Sequence, residues 1–206
     1  MVKLPSSILQ IYKRSIGGRF HMPSSEFEGK RLFLLRHAMA LSQASDGDSS
    51  RALAPKGIED AQALGRMMAH KGYVPDVVLC SSAVRTRQTL AGAFPDLDMA
   101  KVQFIDILYN GSVGDYLYEI QKIDDVHQNI LMIAHNPCIY ELVILLAAQG
   151  SDSVMQRLSE GYNPASLSVI HCACGKWADI QPAVNELDSL SNPMDYNAPA
   201  RPTRWM

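Results

Sequence analysis

The sequence has no apolar run of the roughly 20 residues that a membrane-spanning helix needs, and its amino terminus lacks the apolar stretch and small-residue cleavage site of a signal peptide. It also has little cysteine. Three of the four cysteines lie beside apolar residues, and all four are scattered along the chain: Cys80, Cys138, Cys172 and Cys174. Reduced thiols fit this usage better than a disulfide framework. We therefore expect a cytoplasmic protein with no membrane partner.

The chain also lacks an excess of charge of either sign. Lysine and arginine number 19 and aspartate and glutamate 21, which gives a formal net charge of -2. Nucleic acids and anionic membrane surfaces are attracted by an extended basic field, which this composition does not supply. No nucleic-acid partner is expected, and any phosphate binding has to be local.

The length favours one compact domain. A chain of 206 residues with 47% hydrophobic content can bury one sizeable core but not two generous ones. Residues 1–28 contain a short basic amphipathic stretch followed by helix breakers, and we assign them to an N-terminal extension. An accessory packing helix, or a translation start at Met22, is preferred there over a targeting or membrane-surface helix. The domain is expected over residues 29–181, with an irregular, proline-punctuated tail over 182–206.

Short apolar runs alternate with helical patterns from residue 31 onward. Buried strands are predicted at 32–35, 76–80, 102–107 and 130–134. Helices are predicted at 58–72, after Ser81-Ser82, at 113–123, and from an Asn136 cap and Pro137 to Gly150. A closing hairpin at a sheet edge is predicted from 166–173 and 177–180. The pattern indicates an α/β fold, a three-layer sandwich whose mainly parallel central sheet is flanked by helices.

Polar side chains follow three of these strands at the point where each strand ends. Arg36-His37 follows the first strand, Ser81-Ser82 and Arg85 the second, and His135 the fourth. One such group is most simply the solvent-facing end of a core element. Because parallel sheets bind ligands at the carboxyl ends of their strands, the three together predict a single site at one edge.

Four blocks of sequence resemble the histidine phosphatase superfamily, the phosphoglycerate-mutase-like proteins. They cover much of residues 31–149: Leu-Leu-Arg36-His37-Ala, Asp48-x-x-Arg51-x-Leu53, Ser-Ser-Ala-Val-Arg85-Thr-Arg87-Gln-Thr89, and Ile-Ala-His135-Asn-Pro. Ala38 stands where most members have glycine, a departure that adds one methyl group. The size of the chain and the second and fourth blocks look most like the short branch, in particular the small bacterial phosphohistidine phosphatases.

The resemblance implies a role for each matched residue. His37 is the nucleophile that accepts the phosphoryl group, Arg36, Arg51 and Arg85 bind phosphate, and His135 donates a hydrogen bond to the phosphoryl oxygens. A neutral imidazole is a good nucleophile toward phosphorus, and neighbouring guanidinium groups disfavour its protonation. The same groups match the oxygens of the transferring phosphoryl group.

The general acid is less clearly indicated. Many members place an aspartate directly after the second histidine, but this chain has Asn136, which cannot donate a proton in that way. Asp48 occupies the matching position of the short branch in a polar loop, where it is either the acid or a turn-forming residue. The other candidates are Asp46, Asp106 and Asp115. A phosphoramidate substrate reduces the need for an acid, because its leaving group departs as a neutral imidazole once protonated.

Three further features receive structural interpretations. The sequence from His171 to Cys174 contains one C-x-C pair without a second ligand pair, so it predicts core packing rather than a metal site. Ser82 is interpreted as a helix cap rather than a nucleophile. Arg87 shares a helix with Arg85 but faces another direction, which indicates a rim or structural position.

The sequence thus predicts a metal-independent phosphohydrolase with no cofactor, acting on phosphohistidine on a protein. A small-molecule phosphomonoesterase for a sugar or nucleotide phosphate is the alternative enzyme, and a mutase is disfavoured by the lack of a long insertion. A non-catalytic module that binds phosphorylated partners is the alternative of another class. The expected partner is therefore a phosphorylated protein or a small phosphorylated substrate.

Overall fold

A seven-stranded sheet forms the centre of the computed structural model, which describes residues 29–196. Its strands are β1 (Lys30–Arg36), β2 (Val77–Ser81), β3 (Val102–Ile105), β4 (Asn129–Ala134), β5 (Ala147–Gly150), β6 (Leu167–Cys172) and β7 (Asn185–Ser191). Their order across the sheet is β3-β2-β4-β1-β6-β7-β5. The predicted extension, residues 1–28, lies outside the described residues.

Helices connect most of these strands. They are α1 (Pro55–His70), α2 (Val84–Ala93), α3 (Ile107–Asn110), α4 (Val113–Gln121), α5 (Cys138–Leu146), α6 (Asp152–Ser159) and α7 (Pro193–Tyr196). Short 3-10 turns lie at Asp48–Ser50, Met99–Lys101 and Trp177–Asp179. Among the helices that residues 29–196 form, none combines the length and the apolar character needed to cross a bilayer.

The sheet is mixed. Strands β3, β2, β4 and β1 run parallel to one another, as does β5 beside β7, whereas β6 is antiparallel to both β1 and β7. These four parallel strands are the ones predicted from the alternation of strands and helices in the sequence. The predicted α/β class, with helices flanking a central sheet, is confirmed.

Alternate residues of β1 supply the two cores on the faces of the sheet. Leu32 and Leu34 belong to one apolar cluster, which also contains residues of α4 and α5, and Phe33 and Leu35 belong to the other, with residues of α1 and α2. All four side chains are fully buried. Burying each side chain contributes about 1.5–3 kcal/mol to the stability of the fold, relative to leaving it exposed. The position of β1, from which the loop with His37 starts, is therefore well fixed.

The predicted hairpin over 166–173 and 177–180 is wrong. Residues Trp177–Asp179 form a 3-10 turn, and the antiparallel partner of β6 is β7, so β6 lies within the sheet rather than at its edge. The predicted irregular tail from residue 182 is therefore wrong for β7 and α7. A register shift between Val169 and Ile170 explains the missed strand, since it lets Leu187 and Leu190, three residues apart, both be buried.

Two predicted helix caps are also wrong. Helix α5 begins at Cys138 with Pro137 at the N-cap position, and Asn136, joined to Pro137 by a cis peptide bond, donates instead to the carbonyl of Tyr162. The helix ends at Leu146, before the predicted end at Gly150. The N-cap position of α2 is Ala83 rather than Ser82, and no side chain caps it.

Candidate active site

The carboxyl ends of β1, β2 and β4, three adjacent parallel strands, open into one pocket. The pocket has a volume of about 560 Å³. All six residues predicted for the site line it, and the full lining is Arg36, His37, Met39, Ala40, Asp48, Arg51, Arg85, Tyr109, Asn110, His135, Asn136 and Pro164. The sheet therefore brings together residues that are about 100 positions apart in the chain.

His37 is held with one ring nitrogen occupied and the other facing a guanidinium group. Its Nδ1 lies 2.7 Å from the carbonyl oxygen of Ala38. A carbonyl only accepts hydrogen bonds, so Nδ1 carries the proton and Nε2 keeps its lone pair. The Nε of Arg85 donates to this Nε2 at 3.3 Å, a long contact that an incoming phosphorus can replace. The backbone N–H of Ala38 donates to Thr89 at 3.0 Å and fixes the loop.

Burial is the largest reason for the low basicity of His37. The side chain is 9% exposed, and burial lowers its pKa to about 4, opposed by the Ala38 carbonyl and assisted by Arg85, Arg36 and Arg51. The arginines, which the sequence predicts as the cause, act in the expected direction but contribute less than burial. The imidazole is therefore neutral at physiological pH.

Backbone carbonyls orient the three arginines. Arg36 donates through Nη1 to the carbonyl of Tyr162 at 2.7 Å, and Arg51 donates through Nη1 to the carbonyl of Leu41 at 2.7 Å. Arg85 is buried and donates through Nη1 to the carbonyl of Asp48 at 2.7 Å. Because these contacts fix the guanidinium groups before ligand arrives, little reorganisation is needed to bind an anion.

The carboxylate of Asp48 links two of the arginines. It accepts from Arg51 Nε at 2.7 Å, from Arg85 Nη2 at 3.0 Å and from the Tyr109 hydroxyl at 2.8 Å. The hydrogen bond from Tyr109 is the largest cause, and that from Arg51 the next, of a pKa lowered to about 2. Only about 10⁻⁵ of such a group is protonated at pH 7. The ligand-free site thus gives no support to the expected general acid role, and shows Asp48 as an ionised acceptor.

The other acid candidates lie away from the pocket. Asp46 and Asp106 are exposed and Asp115 is half-buried, and none of the three lines it. Asp115 belongs to a capping box with Ser112 at the start of α4. All three therefore lie outside the lining of the pocket in the ligand-free arrangement.

Tyr109 is the residue of this site that the sequence argument missed. Its ring meets the ring of His135 edge-on at 5.5 Å, and the guanidinium carbon of Arg85 lies 5.7 Å from the ring centre. The residue comes from α3, directly after β3, so it also follows a strand end. That position was the available signal, but an aromatic residue after a weakly patterned strand is unremarkable in the sequence.

His135 faces His37 across the pocket, with ring centres 5.0 Å apart. Its Nε2 lies 2.9 Å from the Ser81 hydroxyl, and its buried Nδ1 has no hydrogen-bond partner among residues 29–196. Burial first, and then the neighbouring His37, lower its pKa to about 3. Its backbone carbonyl accepts from the N–H of Ile139 in the first turn of α5, so His135 directly precedes a helix N-terminus.

The features interpreted as structural lie outside the pocket. Arg87 donates to the carbonyl of Ser82 at 3.0 Å and lies over the ring of Phe104 at 4.3 Å. Cys172 ends β6 and is buried in the apolar core on one face of the sheet. No group of three or more metal-ligating side chains occurs within residues 29–196.

Comparison with known proteins places the chain in a family. The model of the histidine phosphatase superfamily (branch 1) matches residues 32–128. An uncharacterized protein of Mycobacterium tuberculosis is 35% identical over 150 residues, which are 72% of this chain and 92% of that protein. The predicted resemblance is confirmed.

Two solved structures from bacteria share the fold. A protein of Nakamurella multipartita, assigned by name as phosphohistidine phosphatase SixA, is 28% identical with a TM-score of 0.65, over 80% of this chain and 96% of that chain. A second protein so assigned, from Agrobacterium tumefaciens, is 26% identical with a TM-score of 0.67, over 80% and 99% of the two chains. The pocket residues described above thus belong to a fold shared with these proteins.

Proposed function

The chain belongs to the histidine phosphatase superfamily, and from that premise we propose that it removes the phosphoryl group from phosphohistidine on a protein through a covalent intermediate at His37. The observation that carries the proposal is the neutral Nε2 of His37 beside the Nε of Arg85, at 3.3 Å, in a pocket lined by three arginines. Such a group is a nucleophile placed where a phosphate dianion binds.

The reaction has two steps. In the first, the lone pair of His37 Nε2 attacks phosphorus and the bond from phosphorus to the substrate imidazole nitrogen breaks, releasing that imidazole with the bond's electron pair. In the second, water attacks the phosphorus of phospho-His37, and inorganic phosphate leaves as the His37 nitrogen recovers its lone pair. Arg36, Arg51 and Arg85 stabilise the charge on the three equatorial oxygens in both steps.

The choice of a phosphoramidate substrate is supported by the protonation states in the pocket. The only carboxyl group that lines the pocket within residues 29–196 is Asp48, with a pKa of about 2. An alkyl phosphate needs a proton donor for its leaving oxygen, whereas a phosphohistidine already protonated on its ring leaves as neutral imidazole. The two SixA structures, at 28% and 26% identity, support the same substrate class.

The positive charge needed by the transition state comes from the protein itself. Three guanidinium groups and a helix N-terminus surround the proposed phosphoryl position. We therefore propose that the reaction proceeds without a metal ion, and the experiment below is run in chelator for that reason.

The test is a single-turnover reaction with a phosphohistidine-bearing carrier protein, comparing wild type with His37→Ala. We expect label on the wild-type chain that is acid-labile and base-stable, followed by release of phosphate, and no label on His37→Ala. If an aryl phosphate is hydrolysed but the carrier keeps its phosphate, the substrate class is wrong and a small-molecule phosphatase replaces it. If neither reacts, the chain is a module that binds phosphorylated partners.

A further inference from the structure

Ser81 and His135 form a buried pair, of which His135 lines the pocket. Ser81 ends β2, is 0% exposed, and places its Oγ 2.9 Å from Nε2 of His135. Strands β2 and β4 are parallel neighbours, with Cys80 opposite Ile133. The sheet register therefore fixes the distance between the serine and the histidine.

The hydrogen bonds around Ser81 favour one direction for the hydrogen bond between the two side chains. The backbone N–H of Ala83 donates to Ser81 Oγ at 3.5 Å, so the oxygen already accepts one weak bond. Within residues 29–196, the acceptor that the structure gives to the Ser81 hydroxyl hydrogen is Nε2 of His135. A proton on Nε2 would leave the hydroxyl hydrogen without an acceptor among these residues, so donation by Ser81 to the lone pair of Nε2 is the favoured direction.

This direction places the single proton of His135 on Nδ1. Burial keeps the ring neutral, since its pKa is about 3, and a neutral imidazole has one N–H. The Nδ1 is buried and has no partner among the described residues. A buried donor left unpaired is costly, about 1–3 kcal/mol, and an anionic oxygen brought within hydrogen-bond distance of Nδ1 would relieve that cost.

We propose that Ser81 is a positioning residue, which holds His135 in the tautomer whose Nδ1–H donates to a phosphoryl oxygen. Without the serine hydroxyl, either nitrogen of His135 can carry the proton, and the fraction of molecules with the productive donor falls. The proposal rests on the proposed function for its effect on rate, but the tautomer itself is a property of the ligand-free protein. The two can therefore fail separately.

The first measurement needs no substrate. Histidine ¹⁵N NMR of the ligand-free protein at pH 7 distinguishes a protonated from an unprotonated ring nitrogen, and His135→Gln identifies the signals. We expect a protonated Nδ1 and an unprotonated Nε2 in wild type, and a mixture in Ser81→Ala. A proton on Nε2 in wild type overturns the proposal even if the enzyme is active.

The second measurement separates positioning from structural support. We expect Ser81→Ala to lower kcat/KM about tenfold, and Ser81→Thr, which keeps the hydroxyl, to recover most of it. The neighbouring Ser82→Ala, a half-buried residue outside the pocket, serves as the matched control with unchanged activity. In a His135→Ala background, Ser81→Ala should have no further effect. A further tenfold loss there means that Ser81 does not act through His135, and the proposal fails.

Discussion

Replacing Asp48 by asparagine tests what its carboxylate does. The side chain is 54% exposed and accepts hydrogen bonds from Arg51, Arg85 and Tyr109. Asparagine keeps the size and one acceptor oxygen but removes the negative charge. If Asp48 is an ionised link between the arginines, its loss leaves the pocket more positive by one charge and changes no proton transfer.

The size of the effect follows from Coulomb's law. A unit charge and a phosphate dianion about 6 Å apart in a solvent-exposed setting repel by about 1.4 kcal/mol, which is about tenfold in affinity. We therefore expect Asp48→Asn to bind inorganic phosphate about tenfold more tightly as a competitive inhibitor. Higher ionic strength should reduce this gain, because exposed charges are screened.

The assay that separates the two roles is a series of aryl phosphates with leaving groups of increasing pKa. For an ionised Asp48, the dependence of log(kcat/KM) on leaving-group pKa should have the same slope in wild type and Asp48→Asn. For a general acid, the variant should lose most activity on the poorest leaving groups, and the slope should steepen. Asp46→Asn, two residues away and outside the pocket, is the control. A steeper slope in Asp48→Asn alone would refute the reasoning.

Three other predictions follow from the contacts described. Acid should destabilise the protein between pH 6.5 and 4, because the unfolded His37 imidazole binds a proton near 6.5 and the folded one only near 4. The contribution of neutral His37 to the free energy of unfolding is fully present above pH 6.5, and at pH 5 about 2 kcal/mol of it is lost. Urea unfolding at pH 7 and pH 5 should therefore show a smaller loss of stability in His37→Gln than in wild type. Tyr109→Phe removes the largest cause of the low pKa of Asp48, so the carboxyl titration followed by NMR should move upward from about 2, and an unmoved midpoint contradicts the hydrogen bond. Leu187→Ala should cost about 2–5 kcal/mol of unfolding free energy, whereas Met194→Ala, at an 85% exposed position, should cost less than about 0.5 kcal/mol; equal effects would mean that β7 is not part of the core.

The strands that carry the site could be predicted because they are simple in sequence. Leu32 to Leu35 are buried on both faces, so the run is continuously apolar, and the polar residues begin where the strand ends. Strand β7 could not be predicted in this way. Its burial depends on the register shift opposite Val169 and Ile170, and that shift is a property of the pairing rather than of either strand's own pattern.

The chemistry of the site was predictable in type but not in protonation. The sequence predicts that His37, Asp48 and the arginines share one site, because each residue follows a strand end or belongs to a motif. It could not show that Asp48 and Tyr109 share a hydrogen bond at 2.8 Å, since the two residues are 61 positions apart and lie in separate loops. That contact is the largest cause of the low pKa, and it changes the interpretation of Asp48 from proton donor to acceptor.

Burial links the proposed catalysis to the stability of the fold. The first cause of the low pKa of both His37 and His135 is desolvation, so the same packing that leaves a nucleophilic lone pair at neutral pH also excludes the charged imidazole from the folded state. A substitution that opens the pocket should therefore raise both histidine pKa values, reduce the destabilisation by acid, and reduce the fraction of neutral nucleophile near pH 6. Among variants with increasingly open pockets, activity near pH 6 should fall while stability in acid rises. This relation follows from burial, and it would not follow if the arginines alone kept the histidines neutral.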